Sequence, residues 1–234
     1  MRFESFIFDL YGTLADICTD ENPAVFWEGA AADAEGFGAQ YSGEALRMEY
    51  LRLCADEVRR RNAEEPEVPE EFVEPELLNV FRRLLPEGAD AVAFAGMFRR
   101  RSTLWIRLMP HAAEMLDVLK ASGTRVFLLS NAQACFTTDE LRSLGIFDKF
   151  DGIVLSSDAG MKKPYRGLYE LLLARYVIDR NTAVMVGNDA VADIGGAHAA
   201  GLKSVYIHTW QSGSRPASLP ETCREIKDLS ELLR

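Results

Sequence analysis

The stretch Phe3-Glu4-Ser5-Phe6-Ile7-Phe8-Asp9-Leu10-Tyr11-Gly12-Thr13-Leu14 decides how the rest of this 234-residue chain is read. Its aromatic and branched residues form a nearly unbroken apolar run, which predicts a strand from Phe3 to Leu10 covered on both faces. The run ends on an acidic residue, and Gly12 allows the tight turn that leads out of it. The same unit recurs downstream. Residues 125–129 form an apolar run ending at Ser130-Asn131, and 152–155 form another ending at Ser156-Ser157. Residues 183–186 end at Gly187-Asn188-Asp189, and 204–207 make a fifth run. Between them lie helical patterns from Pro110 to Gly123, from 134 to 144, after Pro164, and from 190 to 200, stopped by Gly123, Gly145 and Gly201.

Strands alternating with helices predict an α/β fold, a doubly wound (Rossmann-like) parallel sheet. Residues 20–106 break the rhythm with helical stripes. Leu46, Tyr50, Leu53 and Glu57 share one face, and Leu77, Leu78, Phe81, Leu84 and Leu85 share another. They are read as an inserted α-helical cap domain over 20–106, the core being 1–19 and 107–234. The acidic, proline-punctuated stretch 63–71 is read as a solvated connector rather than a lid edge. Arg99-Arg100-Arg101 is read as a solvated face, and Phe26, Trp27 and Trp105 as packing within the insert.

The formal net charge of -10 argues against nucleic acid or an anionic membrane as partner. A small anionic metabolite stays compatible, because a local lysine or a metal reverses the field inside a pocket. Four scattered cysteines without a CxxC pair point to reduced thiols, and no apolar stretch is long enough to span a membrane. A cytoplasmic protein, monomer or homodimer, is expected.

In open α/β sheets, ligands bind beyond the carboxyl ends of the strands. Asp9, Ser130-Asn131 and Asn188-Asp189 fall at such ends, and Lys163 lies in the loop beyond the third run. Each residue has a plain alternative as a turn, cap or core residue. Asp189 and Asp193, four apart at a helix start, could simply cap it. Asp-x-x-Gly-Thr-Leu, Leu-Ser-Asn, Lys-Pro and Gly-Asn-Asp-x-x-x-Asp, in this order along the whole chain, together resemble the four motifs of the haloacid dehalogenase-like hydrolases.

That resemblance implies a covalent nucleophile in Asp9, an anion-neutralising Lys163, and substrate contacts from Thr13, Ser130 and Asn131. It also implies Mg2+ held by Asp9, the Tyr11 carbonyl, Asn188, Asp189 and Asp193. Tyr11 departs from the phosphatase pattern, which places a second aspartate there as general acid and base. A tyrosine of ordinary pKa about 10 cannot take over that task near neutrality. Tyrosine here matches the 2-haloacid dehalogenases instead, whose halide leaves without a proton, and Tyr169 matches another of their tyrosines. Those enzymes are metal-free and use a cap arginine, for which Arg47 is a weak match. A Mg2+-dependent phosphatase of small phosphorylated metabolites is preferred, because Asp9, Asp189 and Asp193 together call for a cation. The alternatives are a metal-free 2-haloacid dehalogenase and a catalytically weakened relative that binds a ligand or acts as a scaffold.

Overall fold

The computed structural model describes residues 3–233, so residues 1, 2 and 234 of the expected core lie outside the described residues. The chain runs β1 (Ser5–Phe8), β2 (Ala15–Thr19), α1 (Ala24–Glu35), α2 (Gly43–Glu64), α3 (Leu77–Leu84), α4 (Ala91–Ser102) and β3 (Thr103–Leu108). It continues through α5 (Ala112–Ala121), β4 (Arg125–Ser130), α6 (Ala134–Ser143), β5 (Gly152–Leu155), α7 (Ser156–Ala159) and α8 (Arg166–Arg175). Then come β6 (Ala183–Gly187), a π-helical turn (Ala190–Gly195), α9 (Gly196–Ala199), β7 (Lys203–Ile207) and β8 (Cys223–Ile226).

Six strands form one sheet in the order β5-β4-β1-β6-β7-β8, every pair parallel. The period-two alternation of side chains explains why it is covered twice. Phe6, Phe8, Val126, Leu128, Val184 and Val186 pack on one face with α5 and α6. Ile7, Phe127, Leu129 and Met185 pack on the other with α8 and α9. The apolar run expected over 3–10 is strand only over its central four residues, and Asp9-Leu10 already belong to the turn.

Helices α1–α4 have their own core, in which Phe26 and Trp27 pack on Phe98 at 4.9 and 5.8 Å between ring centroids. Phe136 of α6 joins that cluster from the sheet side. The stretch 63–71 is exposed apart from Val68, as a solvated connector would be.

Three expectations need correction. Residues 20–106 are not helical throughout, because they run into β3, which pairs antiparallel with β2 from Ala15↔Leu108 to Thr19↔Thr103. The side chains of β3 are largely exposed, so it lacked the apolar run that marks a buried strand. Trp105, on that strand, is 41% exposed and sits 6.0 Å from the Trp210 ring instead of in the helical core. Arg99 is the third: its Nε donates to Glu140 Oε1 at 2.6 Å with the side chain 17% exposed, so it is no solvated residue. Strand β8 carried no legible signal, being a short edge strand with exposed Arg224 and Glu225.

Candidate active site

Parallel pairing sets the geometry. Phe8 pairs with Leu128 on one side and Val186 on the other. The chain leaving β1 at Asp9 therefore lies between the ends of β4 and β6, and the Asp9 N–H donates to Val186 O at 3.0 Å. Asp9 is 7% exposed.

Lys163 reaches this position from the loop between α7 and α8. Its Nζ donates to Asp9 Oδ1 at 2.8 Å, Asp193 Oδ1 at 2.6 Å and Leu129 O at 2.8 Å. An ammonium has three protons, and here each has an acceptor. Ser130 Oγ donates to the same Asp9 oxygen at 3.2 Å. The buried Thr13 hydroxyl is 3.1 Å from Asp9 Oδ2 and 3.2 Å from Asn188 Oδ1, so its single proton serves one or the other.

Asp193 is 1% exposed, and its Oδ2 accepts the Asp189 N–H at 2.9 Å. Burial pushes its carboxyl up to about 7, against the pull of Lys163 and with Asp9 adding to the rise. Burial alone would lower the Lys163 ammonium, but Asp193 and Asp9 together more than offset it and hold it above its ordinary value. One ammonium thus faces two carboxylates away from bulk water.

The remaining expected residues converge here with different partners. Asn131 is clamped to the backbone of Lys163, donating through Nδ2 to Lys163 O at 3.0 Å and accepting its N–H at 2.8 Å. Its amide orders the lysine loop. Asp189 spends Oδ1 on capping the π-helical turn, accepting from Val191 and Ala192 N–H at 2.8 Å each. Asn188 is buried against Gly12, whose positive φ of 85° and missing side chain leave room for it; a Cβ there would stand 2.3 Å from Asn188 Nδ2. Tyr169 is fully buried and donates to Ala192 O beneath the same turn.

Tyr11 lines the site, but its hydroxyl is turned onto α6, where it donates to Glu140 Oε2 and lies 2.9 Å from Thr137 Oγ1. Burial first, then the Glu140 charge, drives its pKa well above the ordinary tyrosine value. The phenol proton is held by a carboxylate and is not available to Asp9 or to a leaving group.

These residues surround a cavity of about 200 Å³. None of its lining comes from α1–α4. Gln211, from the loop between β7 and β8, forms part of the wall; its Nε2 donates to Ile17 O at 2.9 Å, while its Oε1 is buried without a partner among the described residues. Nothing in the sequence marks Gln211, because that loop has no regular pattern.

Among the described residues no three acidic, histidine or cysteine side chains form a complete metal cage. Magnesium needs less, since it is held by one or two carboxylates and keeps waters and substrate oxygens. Asp9, Asn188 and Asp189 offer oxygen donors at the cavity. Excess negative charge and hard oxygen donors fit such a cation, with Asp193 as a support whose two oxygens are already engaged.

A profile of haloacid dehalogenase-like hydrolases matches residues 3–201. The chain is 30% identical over 209 residues to a phosphoglycolate phosphatase of Salmonella typhi, covering 86% of this chain and 79% of that one. It is 31% identical over 153 residues to a ribulose-1,5-bisphosphate 5-phosphatase of Halopiger xanaduensis, covering 63% of this chain and 64% of the relative's length. Among solved structures, a 2-haloacid dehalogenase from Pseudomonas syringae superposes with a TM-score of 0.64 at 22% identity, covering 99% and 96% of the two chains. At that identity the likeness is one of fold.

Proposed function

Because the chain belongs to the haloacid dehalogenase-like hydrolases, we propose that it is a magnesium-dependent phosphatase of small phosphorylated metabolites with Asp9 as nucleophile. The observation that carries this is the buried pairing of Asp9 and Asp193 through Lys163, at 2.8 and 2.6 Å. Two carboxylates against one ammonium leave a negative excess beside the cavity. A cation offsets it and at the same time receives a phosphate. The relatives named as phosphatases support the same choice.

On this reading Asp9 attacks phosphorus, the ester oxygen departs, and the resulting acyl-phosphate is hydrolysed by water. Lys163 pairs with Asp9 and orients it. Ser130 and Thr13 fix its two oxygens, and Asn131 keeps the lysine loop in register. Asp9, Asn188 and Asp189, with the Tyr11 carbonyl, would hold the magnesium, whose chemistry is to neutralise charge on the phosphoryl oxygens. A cavity of about 200 Å³ suits a phosphate head with a short tail, being below the roughly 300–1,000 Å³ of drug-sized sites. Because the Tyr11 proton is held by Glu140, esters with good leaving groups are the favoured substrates.

Residues 20–106 then act as a cap on a core of 1–19 and 107–234. Among the described residues no helix is long and apolar enough to cross a membrane. We place the protein in the cytoplasm, as a monomer or homodimer that binds a small anionic metabolite and neither nucleic acid nor membrane.

The second reading is metal-free dehalogenation, which the committed Tyr11 hydroxyl favours because a halide needs no proton. A panel of phosphate esters and 2-haloacids, each with magnesium and with chelator, separates the two. Phosphate release that chelation abolishes, and that Asp9→Asn lowers by at least about 10³-fold, is expected. Halide release that survives chelation would overturn the proposal.

A further inference from the structure

We propose that Arg99, Glu140 and Tyr11 form a latch through which the seating of α4 on the core sets the position of the nucleophile turn. The three residues come from three separate parts of the chain. Arg99 lies in the last turn of α4, Glu140 on α6, and Tyr11 two residues after Asp9, among the residues that line the Asp9 cavity. Glu140 is 9% exposed, and its two oxygens are divided between the other two residues: Oε1 accepts from Arg99 Nε at 2.6 Å, and Oε2 accepts from the Tyr11 hydroxyl. The Arg99 guanidinium also lies over the Tyr11 and Phe136 rings, 5.7 and 5.2 Å from their centroids.

A buried carboxylate needs its compensating cation. If α4 shifts and Arg99 withdraws, Glu140 loses the partner of its Oε1 and turns toward water, and that loosens its hold on Tyr11. The turn beyond Tyr11 transmits the movement because it is tightly bonded. The amides of Thr13, Leu14 and Ala15 all return to Leu10 O, and that of Gly12 goes to Ala15 O. Arg99 and Glu140 touch no reacting atom, so they are positioning residues. Only the kinetic consequence rests on Asp9 being the nucleophile.

The test uses the full chain with Arg99→Met, which keeps the apolar stem, and Arg99→Lys, which keeps a charge. Hydrogen exchange read by mass spectrometry on the peptide spanning 8–16 is the first readout, with peptides from α8 as internal reference. Arg99→Met is expected to speed exchange of the amides at 12–15 by about 10-fold relative to α8, with Arg99→Lys recovering most of the difference. On p-nitrophenyl phosphate, kcat is expected to fall about 10–100-fold with KM changed less than about 3-fold, and adding Tyr11→Phe should cost little more. Unchanged exchange at 12–15, or an increase spread evenly over α8 as well, would overturn the latch. If the wild type releases no phosphate from any ester, the phosphatase reading fails, and the exchange measurement still decides the latch.

Discussion

Lys163→Met keeps the length of the side chain and deletes its charge. Three hydrogen bonds vanish at once, those to Asp9, Asp193 and Leu129 O. Asp9 and Asp193, 7% and 1% exposed, are left facing each other without a cation. Removing one partner of a buried ion pair costs about 3–5 kcal/mol. The cost is expected to depend on pH. Asp193 stands at about 7 even with Lys163 beside it, chiefly through burial, and losing the ammonium raises it further. A carboxyl whose folded pKa lies above its unfolded value of about 3.9 binds more protons in the folded state. Its contribution is therefore greatest at low pH and is lost as pH rises through the folded value. In the wild type that window closes near pH 7, whereas in the variant it extends higher. The loss at pH 8 should then exceed that at pH 6 by about 1–2 kcal/mol, each pKa unit being worth about 1.4. Urea unfolding followed by tryptophan fluorescence at the two pH values reads this directly. A loss below about 1 kcal/mol, or one equal at both pH values, would refute charge compensation as the role of Lys163.

Three further outcomes follow from other contacts. Glu57 is held down to about 2, first by its hydrogen bond from Arg60, with burial opposing and Asn79 and the Arg60 and Arg61 charges adding. A depressed carboxylate stabilises above its unfolded pKa and loses that stabilisation as pH falls toward 2. Between pH 5 and 3 the wild type should therefore lose about 1 kcal/mol more than Glu57→Gln, a figure already discounted for the 44% exposure of Arg60. Gly12→Ala forces a side chain into φ +85° and against Asn188; a cost of about 2–4 kcal/mol in urea unfolding is expected, and less than about 1 would contradict the packing. Asn131→Ala removes both bonds to the Lys163 backbone and should lower stability by about 1–2 kcal/mol, read as a fall in Tm.

The central strands were legible because both their faces are buried, which leaves an apolar run whatever the helices above them do. β3 and β8 are exposed strands, and their sequences carry no such run. The same contrast holds at the site. Asp9, Ser130 and Asn188 announce themselves by standing where strands stop. The direction of the Tyr11 hydroxyl does not, since it is decided by Glu140, 129 positions away on a helix whose placement depends on the whole sheet. Gln211 is equally silent, because its place in the wall comes from a loop folded back onto Ile17. Arg99 misled because three successive arginines read as surface, while only the first meets a buried carboxylate.

The antiparallel pairing of β2 with β3 has an engineering consequence. The chain leaves for α1–α4 at Thr19 and returns at Thr103, and these two residues are partners in one ladder. The 20–102 segment is thus inserted at a single point, its ends a ladder spacing of about 5 Å apart. Loop-closure entropy grows only slowly with length, so inserts of very different size can be carried there at nearly the same cost to the core. The base of the segment is a socket: a short turn joining Thr19 to Thr103 would leave both faces of the main sheet packed, while uncovering Phe136 and Glu140 and freeing Gln133, Gly160, Lys162 and Tyr165 from their bonds to residues 67–77. Other helical hairpins could be grafted at the same position, provided that they return a cation to Glu140 in place of Arg99 and so keep Tyr11 and the turn after Asp9 seated.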